Sequence, residues 1–562
     1  MNDKTRPVLT SKVSGVDDMF PTLTPAQVSR IAAHGHLRRV EQGQVLVEPG
    51  ERTSRFFVVT SGQIEIVQLE AETEGIVAVF RPGMFTGEIT MLSGRRGLAQ
   101  IRVSEPGEVI EVDREHLLAL VQTDSELSDI LMRAFILRRL ELIAQGVGDV
   151  VLVGSNHCAG TLRVREFLTR NGHPYSYIDL DSYGEVQDLL DHFHVAAADV
   201  PVVICRGEVV LRNPTNQQIA DCLGFNEAID QTHVRDLVIV GGGPAGLAAA
   251  VYGASEGLDV LVLESNSPGG QAGSSSKIEN YLGFPTGISG QELAARAYTQ
   301  AQKFGAQLMI ARRAKRLACE RKPYALDIDD ETRVRARAII IATGAEYRRP
   351  SVENLSLFEG AGVYYGATFI EAQLCSGEEV AVVGGGNSAG QAAVFLARTA
   401  KRVQMIVRSS GLAETMSRYL IRRIEQTPNI VLRPETELIA LEGDDAGNHL
   451  KRVRWRNNRT GKIETHDLPH LFVMAGAIPN THWLGGCLAL DAKGFIKTGP
   501  DLSADELDAA EWPLARAPHL LETSVPGVFA VGDVRRGNLK RVASAVGEGA
   551  IAVAFVHRVL HE

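Results

Sequence analysis

The sequence predicts a multidomain chain: a small antiparallel β-roll with a helix after it, a small α/β domain, and two three-layer α/β domains of Rossmann type. Three observations carry this. At 562 residues the chain exceeds one ordinary domain. The rhythm of its apolar residues changes near 148 and again near 232. One device (strand, glycine turn, helix) occurs at 236–254 and returns at 379–397.

Taken in order, the first block is read over 20–143. Arg55-Phe56-Phe57-Val58-Val59 and Gln63-Ile64-Glu65-Ile66-Val67-Gln68 are short alternating runs separated by glycine-bearing turns, the pattern of antiparallel strands. Apolar spacing then predicts a helix from Ser125 to Ile143. The second block, 148–228, holds a buried strand (VVLVGS), an amphipathic helix ending at Gly172, and a second strand (YSYIDLD). The runs VPVVIC and EVVL and the helix NQQIADCLGF complete a small α/β domain, and NEAIDQTH is a polar linker. The remaining boundaries are 232–354, 355–475 and 476–562, the first and last forming one domain interrupted by the middle one.

Composition is that of a globular protein, with 44% apolar and 22% charged residues. A formal charge of −10 argues against nucleic acid as a main partner. The opening residues lack an apolar stretch, and no run approaches 18 apolar residues, so neither a signal peptide nor a membrane span is expected. Cysteines stand at 158, 205, 222, 319, 375 and 487, with no CxxC and no zinc spacing. Separate, mostly buried thiols, a cytoplasmic setting and no metal are the expectation.

Gly241-Gly242-Gly243-Pro244-Ala245-Gly246 follows the strand DLVIV and opens an alanine-rich helix. Such a turn lets backbone approach a pyrophosphate while the helix N-terminus faces its charge. Glu264 closes the next strand, VLVLE, where a carboxylate holds ribose hydroxyls. Gly384-Gly385-Gly386-Asn387-Ser388-Ala389 repeats the turn. Its following strand ends at Arg408, which either favours a 2′-phosphate, hence NADPH, or is an ordinary surface arginine. Two dinucleotide sites in one chain fit a flavin and a nicotinamide held in register.

Beyond these turns, ESNSPGGQ (264–271), KIENYLGFPTGISGQEL (277–293), ATG (342–344), GAIPN (476–480) and VPGVFAVGD (525–533) make residues 232–562 resemble the low-molecular-weight thioredoxin reductases. The resemblance implies a homodimer. It implies FAD held by Gly241, Gly243, Pro244, Ala245, Gly246, Glu264, Gly270, Gln271, Asn280, Thr343, Gly344 and Asp533, with Lys540, Arg541 and Val542 beside the flavin. It implies NADPH held by Gly384, Gly386, Asn387, Ser388, Ala389 and Arg408. Three departures stand out. Gly366-Ala367-Thr368-Phe369 replaces that family's redox CxxC, Val407-Arg408-Ser409 keeps one of two arginines, and Lys540-Arg541 replaces an Arg-Gln pair.

The segment Phe85-Thr86-Gly87-Glu88-Ile89-Thr90-Met91-Leu92, continuing through Arg95 and Arg96, resembles the phosphate cassette of cyclic-nucleotide-binding β-rolls. That resemblance implies Gly87 and Glu88 at a cyclic nucleotide, with Arg95 or Arg96 near its phosphate, although the family's arginine position is Gly97 here. A ligand-binding roll and a degenerate, interaction-only roll both remain open. The second block resembles thioredoxin or glutaredoxin modules, with Cys158-Ala159-Gly160-Thr161 at the strand–helix turn and VPVV at 200–203. Cys158 is therefore either a redox thiol activated by its helix start or a relic in a packing module. Two functions are carried forward. One is an FAD-dependent NADPH oxidoreductase with an unknown electron acceptor and the roll as its candidate regulator. The other is a redox or nucleotide sensor in which both cofactors set conformation and the N-terminal domains bind a partner.

Overall fold

The computed structural model describes residues 16–51, 55–70, 73–93, 95, 99–144, 150–156, 158–180, 199–206, 209–329, 332–444 and 449–562. In the first domain the strands His36–Val40, Val45–Val47, Arg55–Glu70, Thr73–Phe80 and Gln100–Asp113 pair antiparallel throughout. Asp113 ends the last of them and caps the helix Arg114–Thr123 by accepting from the His116 amide. The helix Ser125–Ala144 follows and drops Phe135 between Phe56 and Phe85, with ring centroids 6.1 and 6.2 Å away.

The second domain is a four-stranded sheet in the order Ser176–Asp179, Val150–Gly154, Val202–Cys205, Val209–Arg212. Only its first pair is parallel. The helix Ala159–Arg170 follows Val150–Gly154, and Asn216–Cys222 is closed by a capping box at Thr215.

The rest is built around two large sheets, with a two-stranded and a three-stranded sheet beside them. A seven-stranded sheet has the parallel core Gln307–Ile310, Val260–Glu264, Val234–Val240, Arg333–Ile341, with Val528–Ala530 returning from far along the chain to pair with Arg333–Ile341. That late return rejoins the two halves of the interrupted domain. A five-stranded parallel sheet contains Val363–Tyr364, His470–Val473, Glu379–Val383, Arg402–Ile406 and Ile430–Arg433. Near-continuous apolar strands suit sheets covered on both faces. The two bodies are joined where Ala345–Tyr347 pairs antiparallel with Ala477–Pro479.

Two features bear on the expectations, and the second corrects one. Val542–Leu560 has the length and hydropathy of a membrane span. It nevertheless packs Ala545, Gly549, Ala552, Val553, Val556 and Val559 into the core beside the first glycine-turn helix. Cys319 and Cys487, expected as separate thiols, are joined as a disulfide with Cα atoms 6.3 Å apart, although 168 positions separate them in sequence.

Candidate functional site

The first turn is shaped by contact. A Cβ on Gly246 would stand 1.9 Å from the Gly241 carbonyl oxygen, so only glycine lets the helix Pro244–Ser255 sit so close to its strand. Gly243, the N-cap, is different: a Cβ there would meet nothing nearer than Gly270 Cα at 3.9 Å. Its backbone lines open space at a helix N-terminus, the place for a phosphate. Glu264 is 6% exposed, and its carboxylate accepts from the amides of Gly242 at 2.7 Å and Asn266 at 2.8 Å. Burial raises its pKa, opposed by those amides and by the charge of Arg170. A carboxylate retains further lone pairs for hydroxyl donors.

Around this turn the structure gathers most of the expected residues. Gln271 donates to the Ala345 carbonyl at 2.5 Å. Thr343 donates to the Asn480 carbonyl at 2.8 Å, and the Asn480 amide donates to the Gly344 carbonyl at 3.1 Å. Pro244 and Ala245 open the helix, and Asn280 is exposed on the loop beyond Gln271. Asp533, partly buried, has its pKa raised by desolvation, with Lys540 opposing. Arg541 is the N-cap of the helix that begins at Val542, and Lys540 lies 5.6 Å from the Phe495 ring centroid. The open cradle at Gly243 and the buried acid at Glu264 fit a dinucleotide such as FAD.

At the second turn Gly384 and Gly386 precede the helix Asn387–Leu396, with Ala389 fully buried. The side chain of Asn387 accepts from the Ser417 amide at 2.8 Å, and Thr415 donates to the Gly385 carbonyl at 2.7 Å, so the turn is braced from one side. Among the described residues, its own chain neighbours aside, no heavy atom lies within 4 Å of a Cβ built on Gly386, which leaves the helix N-terminus open to a phosphate. Arg408 stands exposed past the end of Arg402–Ile406.

One residue that sequence reasoning missed connects the two turns. Tyr347 lies on the joining strand Ala345–Tyr347, within electrostatic reach of Ser388 on the second turn and of Asp533. Burial is the main cause of its raised pKa. No local motif marks it, because Ser388 lies on the inserted domain and Asp533 on the far half of its own domain.

Gly366–Phe369 is a helix start. Thr368 caps Phe369–Leu374 by accepting from the Ile370 amide, and Glu371 reaches back to accept from the Thr368 amide at 2.8 Å. Cys375 is fully buried, bonds to the Glu371 carbonyl at 2.6 Å, and has its thiol pKa pushed up to about 12 by desolvation and by Glu371. Cys158 is half-buried at the N-cap of Ala159–Arg170, with Sγ 3.9 Å from the Val200 carbonyl.

The roll's cassette departs from expectation at Arg95. Rather than turning towards Gly87 and Glu88, Arg95 donates to the Tyr298 hydroxyl at 2.9 Å and the Asn171 carbonyl at 3.4 Å, with its guanidinium 4.3 Å from the Phe225 ring centroid. Aromatic faces and a carbonyl on two other domains outcompete a position inside the roll. Arg96 lies outside the described residues. Glu88 is 3.8 Å from Arg139, and a Cβ on Gly87 would meet Met91 and Phe135 within 3 Å.

Residues 235–549, over half of the chain, match the pyridine nucleotide-disulphide oxidoreductase model, and the chain belongs to that family. Residues 37–124 match the cyclic nucleotide-binding domain. The chain is 32% identical over 325 residues to a thioredoxin reductase of Ureaplasma parvum, covering 57% of this chain and 96% of the relative. It is 32% identical over 332 residues to that of Escherichia coli O157:H7, covering 58% and 95%. The crystal structure of Lactococcus lactis thioredoxin reductase in its FR conformation superposes with a TM-score of 0.52 at 27% identity, over 58% of this chain and all of that one. The class so defined is a flavoprotein oxidoreductase of thioredoxin-reductase type, whose cofactors are FAD and NADPH. In this chain that body is fused behind a cyclic nucleotide-binding domain.

Proposed function

We propose that the protein oxidises NADPH through FAD and hands the electrons to an external acceptor without the redox dithiol of its relatives. The observation that carries this is the contrast between two open dinucleotide turns and a capped, cysteine-free helix start at Gly366–Phe369. FAD supplies hydride acceptance from the nicotinamide and onward transfer of electrons. The chain's own residues bind and align. The turn at Gly241–Gly246 receives the pyrophosphate, Glu264 the ribose, and Gly270, Gln271, Asn280, Thr343, Gly344 and Asp533 line the remainder. Lys540, Arg541 and Val542 approach the ring system. Gly384–Ala389 receives the second pyrophosphate, and Arg408 a 2′-phosphate. Tyr347 ties the two sites at the junction of their domains.

Cys375 takes no electrons in this reading, since a thiol with a pKa near 12 stays protonated and is not a nucleophile at neutral pH. We read 148–228 as a thioredoxin- or glutaredoxin-like module, supported by its mixed sheet, the helix starting at Cys158 and the Val200 carbonyl beside that thiol. With Thr161 where a second cysteine would stand, Cys158 has no partner in its own turn to resolve a mixed disulfide. The working unit is a cytoplasmic homodimer. The β-roll biases the enzyme if it binds a cyclic nucleotide, and Arg95 then acts as a domain joint rather than a phosphate ligand.

Stopped-flow mixing with NADPH tests the proposal. The flavin absorbance bleaches within a catalytic turnover and recovers on adding an acceptor from a screen of quinones, ferredoxin-like carriers, disulfide proteins and oxygen. A flavin that reduces far more slowly than any acceptor-linked turnover, with none of these reoxidising it, rejects an enzyme and favours a sensor. Robust thioredoxin turnover that survives Cys158→Ser and Cys375→Ser rejects the route proposed here.

A further inference from the structure

The helix Ala159–Arg170 belongs to the second domain but ends against Gly270, which lies beside the first glycine turn. Arg170 Nη2 donates to the Gly270 carbonyl at 2.6 Å, while Nη1 pairs with Glu166 of its own helix at 3.2 Å. The side chain is 13% exposed, and its Nε is buried with no hydrogen-bond partner among the described residues. Gly270 is the residue closest to the open space at Gly243, and Arg170 Nη2 would stand 3.3 Å from a Cβ on Gly273. The charge of Arg170 also reaches Glu264. A cation from another domain therefore stands beside the phosphate-facing turn.

A second contact lies further along the same cleft. Asn216 donates to the Asn266 side-chain oxygen at 2.8 Å, and the Asn266 amide donates to Glu264. Next to this pair is a cavity of about 450 Å³, lined by Thr215, Asn216 and Gln217 on one side and by Ser265, Arg312 and Arg313 on the other. Ser265 follows the strand Val260–Glu264, and Arg312 and Arg313 follow Gln307–Ile310, its parallel neighbour. The cavity thus opens at the carboxyl ends of adjacent parallel strands, where an open α/β sheet takes its ligand.

We propose that the second domain completes the FAD site. Arg170 is a positioning residue that fixes the Gly270 carbonyl and adds positive charge beside the pyrophosphate. Residues 215–217 wall the cavity that receives the adenosine end. This rests on the reading that the first glycine turn holds FAD. It gives the domain a role that needs no thiol chemistry.

The test is FAD titration of the full-length apoprotein, followed by flavin fluorescence at low and high salt. Arg170→Ala is expected to raise the FAD dissociation constant at least tenfold and to flatten its salt dependence, and Arg170→Lys to restore most of both. Gln217→Trp, which fills the cavity from an exposed position, is expected to weaken FAD and ADP alike while leaving riboflavin affinity and the apoprotein melting temperature unchanged. Wild-type affinity and salt dependence in Arg170→Ala, or a lysine variant as weak as the alanine, overturns the assignment of Arg170. Unchanged FAD affinity in Gln217→Trp overturns the adenosine wall. A folded wild-type chain that takes up no FAD overturns the underlying reading instead, so the two failures are distinct.

Discussion

Gly243 and Gly246 sit in one turn, yet the structure predicts opposite outcomes for replacing them. At Gly243 the backbone is extended (φ −74°, ψ −175°), a conformation open to any residue, and a Cβ meets no neighbour closer than 3.9 Å. Gly243→Ala should therefore leave the apoprotein as stable as wild type, or raise its stability by about 0.4–1 kcal/mol through the unfolded chain. The same methyl group occupies the space into which a pyrophosphate must come to reach the backbone amides. Loss of one charge-assisted hydrogen bond costs about 1.5–3 kcal/mol, which is roughly a 10- to 150-fold weaker FAD affinity. At Gly246 a Cβ falls 1.9 Å from a backbone oxygen, so alanine must push the helix from the strand and destabilise the fold itself. The assay pairs thermal melting of each apoprotein with FAD titration. If Gly243→Ala binds FAD like wild type, the phosphate does not approach there. If it melts early with unchanged affinity, the open-space reading of the turn is wrong.

Three further outcomes follow from named contacts. Arg408→Ala is expected to narrow the NADPH-to-NADH ratio of kcat/KM about tenfold, the value of one charge-assisted contact with no second arginine beside it; a ratio that does not move makes Arg408 a bystander. Tyr347→Phe removes the hydroxyl that lies within electrostatic reach of Ser388, and KM for NADPH should rise roughly 2- to 12-fold, the value of one neutral hydrogen bond, with FAD content unchanged. Native alkylation at pH 8 should label Cys158 and spare Cys375, whose folded thiol pKa of about 12 lies above the ordinary value of 9.0. Because the folded state holds that proton more tightly, its contribution to stability is present below pH 9 and is lost as pH rises from there towards 12; Cys375→Ala should flatten that part of a stability–pH curve.

What could be read from sequence was what is local. The strand, glycine turn and carboxylate at Glu264 lie within one supersecondary unit, and their spacing alone carries their chemistry. The capping box at Thr368 is equally local, although a reading centred on missing cysteines passes over it. The remaining features depend on partners distant in sequence. Cys319 finds Cys487 because the meander strand Arg316–Ala318 and the turn after His482–Leu484 meet in the folded domain. Arg95 is drawn out of the cassette by Tyr298, 203 positions later. Arg170 looks in sequence like one half of a surface pair with Glu166, and only the docked domain shows its other hand on Gly270.

The helix Ala159–Arg170 bears on how electrons could leave. At its carboxyl end the backbone carbonyls of Asn171 and Gly172 accept from Arg95 and Arg139 of the β-roll, a place where cations also complement the helix dipole. Arg170 grips the Gly270 carbonyl beside the first glycine turn. Near its start, Leu162 is packed in one core with Tyr364, Ala367 and Cys375, and a Cβ on Gly360 would stand 2.4 Å from that of Ala159. One short helix is thus held by the roll and by both dinucleotide-binding bodies. A thiol carrier that swings between flavin and substrate must be free to leave its dock, and releasing this helix would expose apolar side chains such as Leu162 and break several charge-assisted bonds together. Cys158 is consequently fixed in place. Any acceptor it serves must come to it, and a ligand of the roll has two routes to the flavin domain: the carbonyls at the far end of the same helix, and the direct contacts of Arg95 with Tyr298 and of Gln122 with the Lys303 carbonyl.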